Sequence, residues 1–348
     1  MKRSLVVLAS LMACTGAVMA QTPQLTLWGM IDVGVSHTQG KGYAVGRNAS
    51  NNDRLGIRGV EELGNGWSAT FALQHRFDPD TGTTEANGTR PFWQGESRIG
   101  LRSKDYGWLR LGRGLTPVQD ANGAFEPYGV ATVGNLQDYL TAYYSSQEDT
   151  SQKFNPYGKS PTVPGNEGRV DKGVFYDTPT IAGFTGKFFT QPGPVNGGKT
   201  NQTFGAALIY GSGPVAAMAG IERNNRGTRY FQTGASYDFG VAKLMASWAR
   251  NEHPSSAVNG PLGAKITGWG LGFHVPVTTA LKIRGGYGHV ESDAVGALDG
   301  NKLGVGLMYS LSKRTYVYSD VARGRGLSRI AAPDVYRSAV DFGIHHDF

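Results

Sequence analysis

The stretch Phe92–Arg113, FWQGESRIGLRSKDYGWLRLGR, holds two alternating runs joined at Lys104–Gly107, where Asp105 and Gly107 supply turn chemistry. In the first run Ile99 and Leu101 share one face, while Arg98, Gly100 and Arg102 share the other. In the second, Leu109 and Leu111 oppose Trp108 and Arg110. Successive side chains of a strand point to opposite faces, so this spacing separates aliphatic from cationic groups. An apolar face alone says only that a strand is half-buried. A face carrying several arginines needs water or acidic partners, and reads as the wall of an aqueous channel whose other side meets lipid. Residues 114–168, which follow, show no sustained alternation and read as a long loop hung at that wall.

Working towards the N-terminus, the same pattern recurs. Trp67, Ala69, Phe71, Leu73 and Phe77 fall on one face, against Ser68, Thr70, Gln74 and Arg76. His75 shares the apolar parity and is expected near a rim. Arg54–Arg58 (RLGIR) sets Leu55 and Ile57 against Arg54 and Arg58, and Glu61–Gly66 reads as a tight turn. Gln24–Ser36 puts Leu25, Leu27, Ile31, Val33 and Val35 opposite Thr26, Asp32 and Ser36. Short turns and long polar loops take turns along the chain, an asymmetry found in outer-membrane barrels. Arginine facing lipid at the midplane costs about 2–4 kcal/mol. Six arginines (Arg54, Arg58, Arg76, Arg98, Arg102 and Arg110) share the parity opposite the aliphatic residues, so the polar side is expected to face the lumen.

Composition bounds the alternatives. The first 20 residues read as a cleaved export leader: Met1-Lys2-Arg3 is charged, Leu5–Ala13 is apolar, and Val18-Met19-Ala20 fits the small-x-small cleavage pattern. Leu11-Met12-Ala13-Cys14 is a rival, lipobox-like reading. Cys14 is the sole cysteine, so cleavage at residue 20 leaves none for a disulfide, a thiolate zinc site or a nucleophile. Removing Lys2 and Arg3 takes the net charge from +7 to +5 (7 − 2 = 5). A basic balance can signal nucleic acid, but here many of the charges fall on one strand face, and no nucleic-acid partner is expected. No window of the mature chain approaches the roughly twenty apolar residues of a membrane-spanning helix. A closed barrel, which satisfies its backbone between strands, remains.

Past residue 168 the hairpins resume. Lys282 and Arg284 oppose Leu281, Ile283 and Tyr287; Leu303–Tyr309 and Thr315–Val321 flank the turn Leu311–Arg314; Val340, Phe342, Ile344, His346 and Phe348 share one face of the last run. The count is about sixteen strands, in an all-β antiparallel transmembrane barrel spanning residues 21–348. Asn135–Tyr144 reads as a short helix within the long loop.

Gly193–Thr200 (GPVNGGKT) matches a phosphate-binding loop. That motif needs a helix after it, whereas Asn201–Tyr210 reads as a strand. The seven histidines are scattered, and the adjacent His345 and His346 project to opposite faces, so no metal or cofactor is expected. No spacing of acids and histidines defines a nucleophile–base pair, so the chain is not expected to be an enzyme.

Several stretches resemble the general-diffusion porins of the Gram-negative outer membrane, in the branch typical of betaproteobacteria. They are LTLWGMIDVGV (Leu25–Val35), RLGIRGVEELGNGWSATF (Arg54–Phe71), the SRIGL and LRLGR runs, GRVDKGVFYDTPTIAGF (Gly168–Phe184), YSLSKRTYVY (Tyr309–Tyr318) and the ending GIHHDF (Gly343–Phe348). The resemblance implies a sixteen-stranded homotrimer in outer-membrane lipid, with residues 114–168 folded inward as a constriction loop. It implies that wall arginines face acids of that loop. By position Arg58, Arg98 and Arg113 match the family's wall segments and Arg169 the arginine after the loop, although strict alternation from Leu111 turns Arg113 outward. Asp120, Glu126 and Asp138 are the candidate acids. Phe348, at the end of the last strand, is implied as the signal read by the barrel-insertion machinery. The expected function is passive diffusion of small hydrophilic solutes, with mild anion selectivity from the arginines, Lys282 and Arg284. A substrate-specific channel, a barrel plugged by structural salt bridges, and a secreted β-rich binding protein or adhesin stand as alternatives.

Overall fold

The computed structural model describes residues 24–46, 53–85, 88, 90–129, 131–141, 168–192, 202–252, 265–293, 299–325 and 337–348. The leader, the lipobox-like segment and the phosphate-loop-like motif lie outside them, as does the side chain of Asp138.

The strands are β1 (Gln24–Thr38), β2 (Tyr43–Gly46), β3 (Arg54–Gly64), β4 (Trp67–Asp78), β5 (Thr83–Thr84), β6 (Glu96–Ser103), β7 (Gly107–Leu115), β8 (Arg169–Asp177) and β9 (Phe184–Gln191). They continue as β10 (Thr203–Ser212), β11 (Val215–Arg223), β12 (Arg229–Asp238), β13 (Lys243–Glu252), β14 (Lys265–Pro276), β15 (Leu281–Ser292), β16 (Gly300–Ser310), β17 (Thr315–Arg325) and β18 (Arg337–Asp347). Strands β2 and β5 are short extensions of a rim. The other sixteen pair antiparallel around a closed ring. Closure falls on β1, whose Gln24–Met30 half pairs with β3 and whose Met30–Thr38 half pairs with β18. Gly29 and Phe348 exchange both backbone hydrogen bonds at 3.1 Å, which fastens the last residue of the chain into that seam. The closed ring leaves no sheet edge facing hydrocarbon.

The two faces of the sheet separate as the alternation predicts. Ile99, Leu101, Leu109, Leu111, Leu303, Val305, Leu307, Val340, Phe342 and Ile344 are exposed and form an apolar, mainly aliphatic belt outside. The opposite parity carries Ser68, Thr70, Gln232, Ser247 and Asn251, all buried. In β17, Tyr318, Asp320 and Ala322 are buried while Val321 is exposed, so Asp320 takes the face opposite the apolar belt. No helix among the described residues is long and apolar enough to cross a membrane.

Short connections gather at one end of the barrel. Two of them are only two residues long, Gly213–Pro214 and Asn65–Gly66; the latter has φ of 51° and 76°, and this double positive φ matches the twist of the flanking strands. The expected turn over Glu61–Gly66 is thus shorter than its sequence suggests, because β3 runs on to Gly64 and absorbs a bulge between Glu62 and Gly64. His75 lies towards the other end, stacked on Phe92 with ring centroids 4.0 Å apart.

The segment after β7 is compact. It holds α1 (Pro117–Ala121), a 3₁₀ turn (Asn122–Phe125) and α2 (Gln137–Leu140), the last falling inside the expected Asn135–Tyr144 helix. Its apolar side chains supply much of the buried core. Val118, Phe125 and Tyr139 cluster with Ala207, Met218, Tyr230, Ala249, Ile266 and Val290, and Val133 clusters with Ala322 and Ala339. These partners occupy the parity opposite the aliphatic belt. Glycines make the close approach possible: a Cβ at Gly234 would stand 2.6 Å from the Phe125 ring, and one at Gly272 would stand 2.8 Å from Pro127. Polar ties complete the attachment. Lys302 Nζ donates to Asn135 O at 2.6 Å, Gln232 Nε2 to Leu140 O at 3.4 Å, and the Val133 amide to Asp341 Oδ2 at 2.7 Å.

Candidate functional site

The arginines singled out from β3 to β7 stand in rows set by register. Arg58 is level with Ala72, Ala72 with Arg98, and Arg98 with Gly112. Two rows further along, Ser68, Arg102, Trp108 and Asp177 are level across β4, β6, β7 and β8. Arg54 and Arg76 oppose each other directly. Small residues between the cations leave room for guanidinium groups to lie along the wall.

Partners divide these arginines into two groups. Arg98 donates Nε to Glu96 Oε1 at 2.6 Å and packs 5.1 Å from the Phe175 ring. Arg110 donates Nη2 to Asp177 Oδ1 at 2.5 Å and lies 4.1 Å over Trp108. Arg76 lies 3.8 Å from Glu85. Arg58 and Arg102 differ: both are exposed, and among the described residues neither makes an ion pair. Each faces an aromatic ring instead, Arg58 at 6.0 Å from Trp28 and Arg102 at 5.8 Å from Trp108. Trp108 is held in place by its Nε1–H, which donates to Thr70 Oγ1 at 3.0 Å. Cations over ring faces gain about 0.5–1 kcal/mol where exposed, enough to orient them without cancelling their charge.

Arg113 escapes simple alternation. Asp171 and Lys172 of β8 together oppose it, and Lys172 takes φ of 53°, the mark of a bulge. The Arg113 guanidinium donates to Asp171 Oδ1 at 2.5 Å and to Gln94 O at 2.8 Å. Arg169 is buried and donates Nε to Gly95 O at 2.7 Å. Further round the ring, Arg284 is held by Asp320, with Nη1 3.5 Å from Tyr128 O; Lys282, two residues before it on the same parity, is half-exposed.

The candidate loop acids meet other groups. Asp120 accepts from Lys187 Nζ at 2.8 Å. Glu126 accepts the amides of Tyr128 at 2.8 Å and Leu136 at 2.9 Å, bracing its own segment. The carboxylates that meet Arg98, Arg110, Arg113 and Arg284 come instead from the strands: Glu96, Asp177, Asp171 and Asp320. Sequence reasoning passed over these four, and over Lys187. Glu96 was findable, since two residues before Arg98 puts it on the same face. The other acids sit on strands remote in sequence from their arginines.

Around β1, β17 and β18 lies a second polar cluster. Asp32 accepts from Tyr318 Oη at 2.5 Å and lies 3.0 Å from His345 Nδ1. Asp320 and Asp341 are level across β17 and β18, and the Asp320 amide donates to Asp341 Oδ1 at 3.1 Å. Burial, with the carboxylates of Asp320 and Glu126 close by, pushes the Tyr128 phenol well above its ordinary range. Among the described residues no group of His, Cys, Asp and Glu could hold a metal ion.

A closed ring of sixteen strands, greasy outside and lined with charge inside, is a transmembrane β-barrel of the outer-membrane kind. Comparison with known proteins gives the family. A model of the Gram-negative porins matches residues 7–327, and the chain belongs to that family. It is similar to outer membrane porin protein 32 of Delftia acidovorans, 26% identical over 99% of this chain and 96% of that protein. An outer membrane porin of Bordetella pertussis is likewise 26% identical, over the full length of both. Among solved structures, an anion-selective porin from Comamonas acidovorans superposes with a TM-score of 0.77, at 22% identity, over 94% of this chain and 100% of its own. The trimer form of OmpT from Vibrio cholerae gives 0.69 at 15% identity, over 94% of this chain and 100% of that one. The protein is an outer-membrane porin, which removes the secreted binding-protein alternative.

Proposed function

We propose that this porin passes small hydrophilic solutes by passive diffusion through a water-filled bore in each subunit of a homotrimer, with a mild preference for anions. The observation that carries the anion preference is the pair Arg58 and Arg102. Both are exposed on the charged face, and among the described residues neither meets a carboxylate, whereas Arg98, Arg110, Arg113 and Arg284 each do. Uncompensated wall cations lower the barrier for anions entering a narrow aqueous path. Residues 114–168 act in this reading as the constriction loop, supported by the packing of 118–140 on the polar parity of β10 to β18. The last strand, ending on Phe348, serves as the insertion signal. The anion-selective relative and the trimeric neighbour agree with this reading. Reversal potentials in planar bilayers under a KCl gradient test it: a potential of the anion-preferring sign is expected, and clear cation selectivity overturns it. A solute-exclusion series on single channels then measures the bore.

A further inference from the structure

His274 stands between two cations. Lys243 of β13 and Arg284 of β15 are level with it on either side, and all three take the charged parity. Lys282, two residues before Arg284, shares that parity, and the charged groups that act on the ring are these three cations. Arg284 is held by Asp320. Lys243 and Lys282 are half-buried, and among the described residues neither makes an ion pair. Asp238 is level with Lys243 on β12, but its carboxylate accepts the Gly240 amide at 2.8 Å. In the segment after β7, Glu126 precedes Pro127 but accepts the amides of Tyr128 and Leu136, and the Tyr128 phenol is neutral.

The row sits at the mouth of the bore that bears short connections. Residues 239–242 join β12 to β13, and residues 277–280 join β14 to β15. Arg102 stands at the same mouth, one residue from the end of β6. In the ring β14 lies eight strands from β6 in either direction, so the row and Arg102 occupy opposite walls.

The hydrogen bond of His274 decides what a second proton does. Nε2 lies 2.7 Å from Pro127 O. A carbonyl only accepts, so Nε2 carries the hydrogen, and in the neutral ring Nδ1 is bare. Protonation adds an N–H at Nδ1 and leaves the hold on Pro127 in place. The charged ring is then level with Lys243 and Arg284, and like charges level on a sheet repel. An anion of charge two, lying against the ring and the two ammonium groups, relieves that repulsion. Proton and dianion therefore favour one another at this place.

We propose that Lys243, His274 and Lys282 form a second anion subsite, which takes small oxyanions of charge two and holds them more tightly when His274 is protonated. It deepens the anion-preferring reading above and rests on it: Arg58 and Arg102 favour anions in the bore, and this row retains dianions on the opposite wall.

Sulfate is the probe, since it stays a dianion where histidine titrates. It is added to the full protein in planar bilayers carrying a chloride current, and the concentration giving half-block is read at about pH 8 and about pH 5.5, on either side of the ordinary histidine range. Wild type is expected to bind sulfate about fivefold more tightly at the lower pH, the effect of one charge at contact distance in water. His274→Gln keeps a side-chain N–H for Pro127 O and should show the same affinity at both pH values. The double variant Lys243→Gln, Lys282→Gln should weaken block by about tenfold at both. Each single lysine variant should fall between, and gives the reading if the double variant does not insert. Sulfate affinity unchanged in all the lysine variants overturns the proposal, as does a pH response that persists in His274→Gln. A fall in conductance at the lower pH without sulfate, abolished in His274→Gln, overturns it in favour of a latch on Pro127. The wild-type chloride reversal potential at the higher pH, without sulfate, reads the anion preference separately. A cation-selective bore that still shows lysine-dependent sulfate block removes that preference and upholds the subsite.

Discussion

Arg284 grips Asp320 through two parallel hydrogen bonds, Nε to Oδ1 at 3.0 Å and Nη2 to Oδ2 at 2.7 Å, with both side chains almost sealed from water. The pair joins β15 to β17 across β16, where Gly306 is level with both residues. Arg284 also reaches Tyr128, so it couples the wall to the segment after β7. Removing the cation leaves Asp320 beside Asp341. Breaking a buried pair from one side costs about 3–5 kcal/mol. Arg284→Met is therefore expected to lower the thermal unfolding temperature in detergent, whereas Arg102→Gln, an exposed cation, should leave it near wild type.

Selectivity is expected to follow the cations without carboxylate partners. The double variant Arg58→Gln, Arg102→Gln should move the reversal potential towards that of an unselective pore. The single change Glu96→Gln should move it the other way, since it frees the charge of Arg98. Bilayer recordings under one salt gradient, made on all three proteins, check the order.

The glycine contacts predict how the segment after β7 is held. Gly272 lies under Pro127, and a Cβ there meets the ring at 2.8 Å. Gly272→Val adds a branched side chain where the gap is already filled, and is expected to lift residues 122–140 from the wall. Single-channel traces should then show altered conductance and added open-channel noise. Gly211→Val, at a glycine with open space around it, is the control and should behave as wild type.

Alkaline stability has a definite sign. The Tyr128 phenol is held neutral in the folded protein, while an unfolded tyrosine ionises near pH 10. Above that pH the unfolded chain binds fewer protons than the folded one, so stability falls as pH rises. Its contribution is fully present below about pH 10 and is lost above it. Replacing the phenol in Tyr128→Phe is expected to flatten the decline between pH 9.5 and 11.5 in denaturant titrations, relative to wild type.

Much of this architecture was legible as alternation. The runs around Ile99 and Leu111 and the arginines of opposite parity set the strand faces, and the six arginines from Arg54 to Arg110 all lie opposite the aliphatic belt. The turn expected over Glu61–Gly66 placed a short connection correctly, though not the residues of β3 that run on to Gly64. The site was less legible. Alternation says which side of a strand a charge takes, but not which other strand stands level with it.

What the sequence by itself determined is therefore the local period: alternating side chains, short and long connections, and a cation-bearing face that cannot meet hydrocarbon at acceptable cost. Only the tertiary structure decided which carboxylate neutralises which arginine. Asp177 and Arg110, or Asp320 and Arg284, become neighbours through the register of the closed sheet, and the bulge at Asp171–Lys172 redirects a contact that strict counting would misplace. Side-chain parity is a property of two adjacent residues, whereas charge pairing depends on the closure of the whole ring.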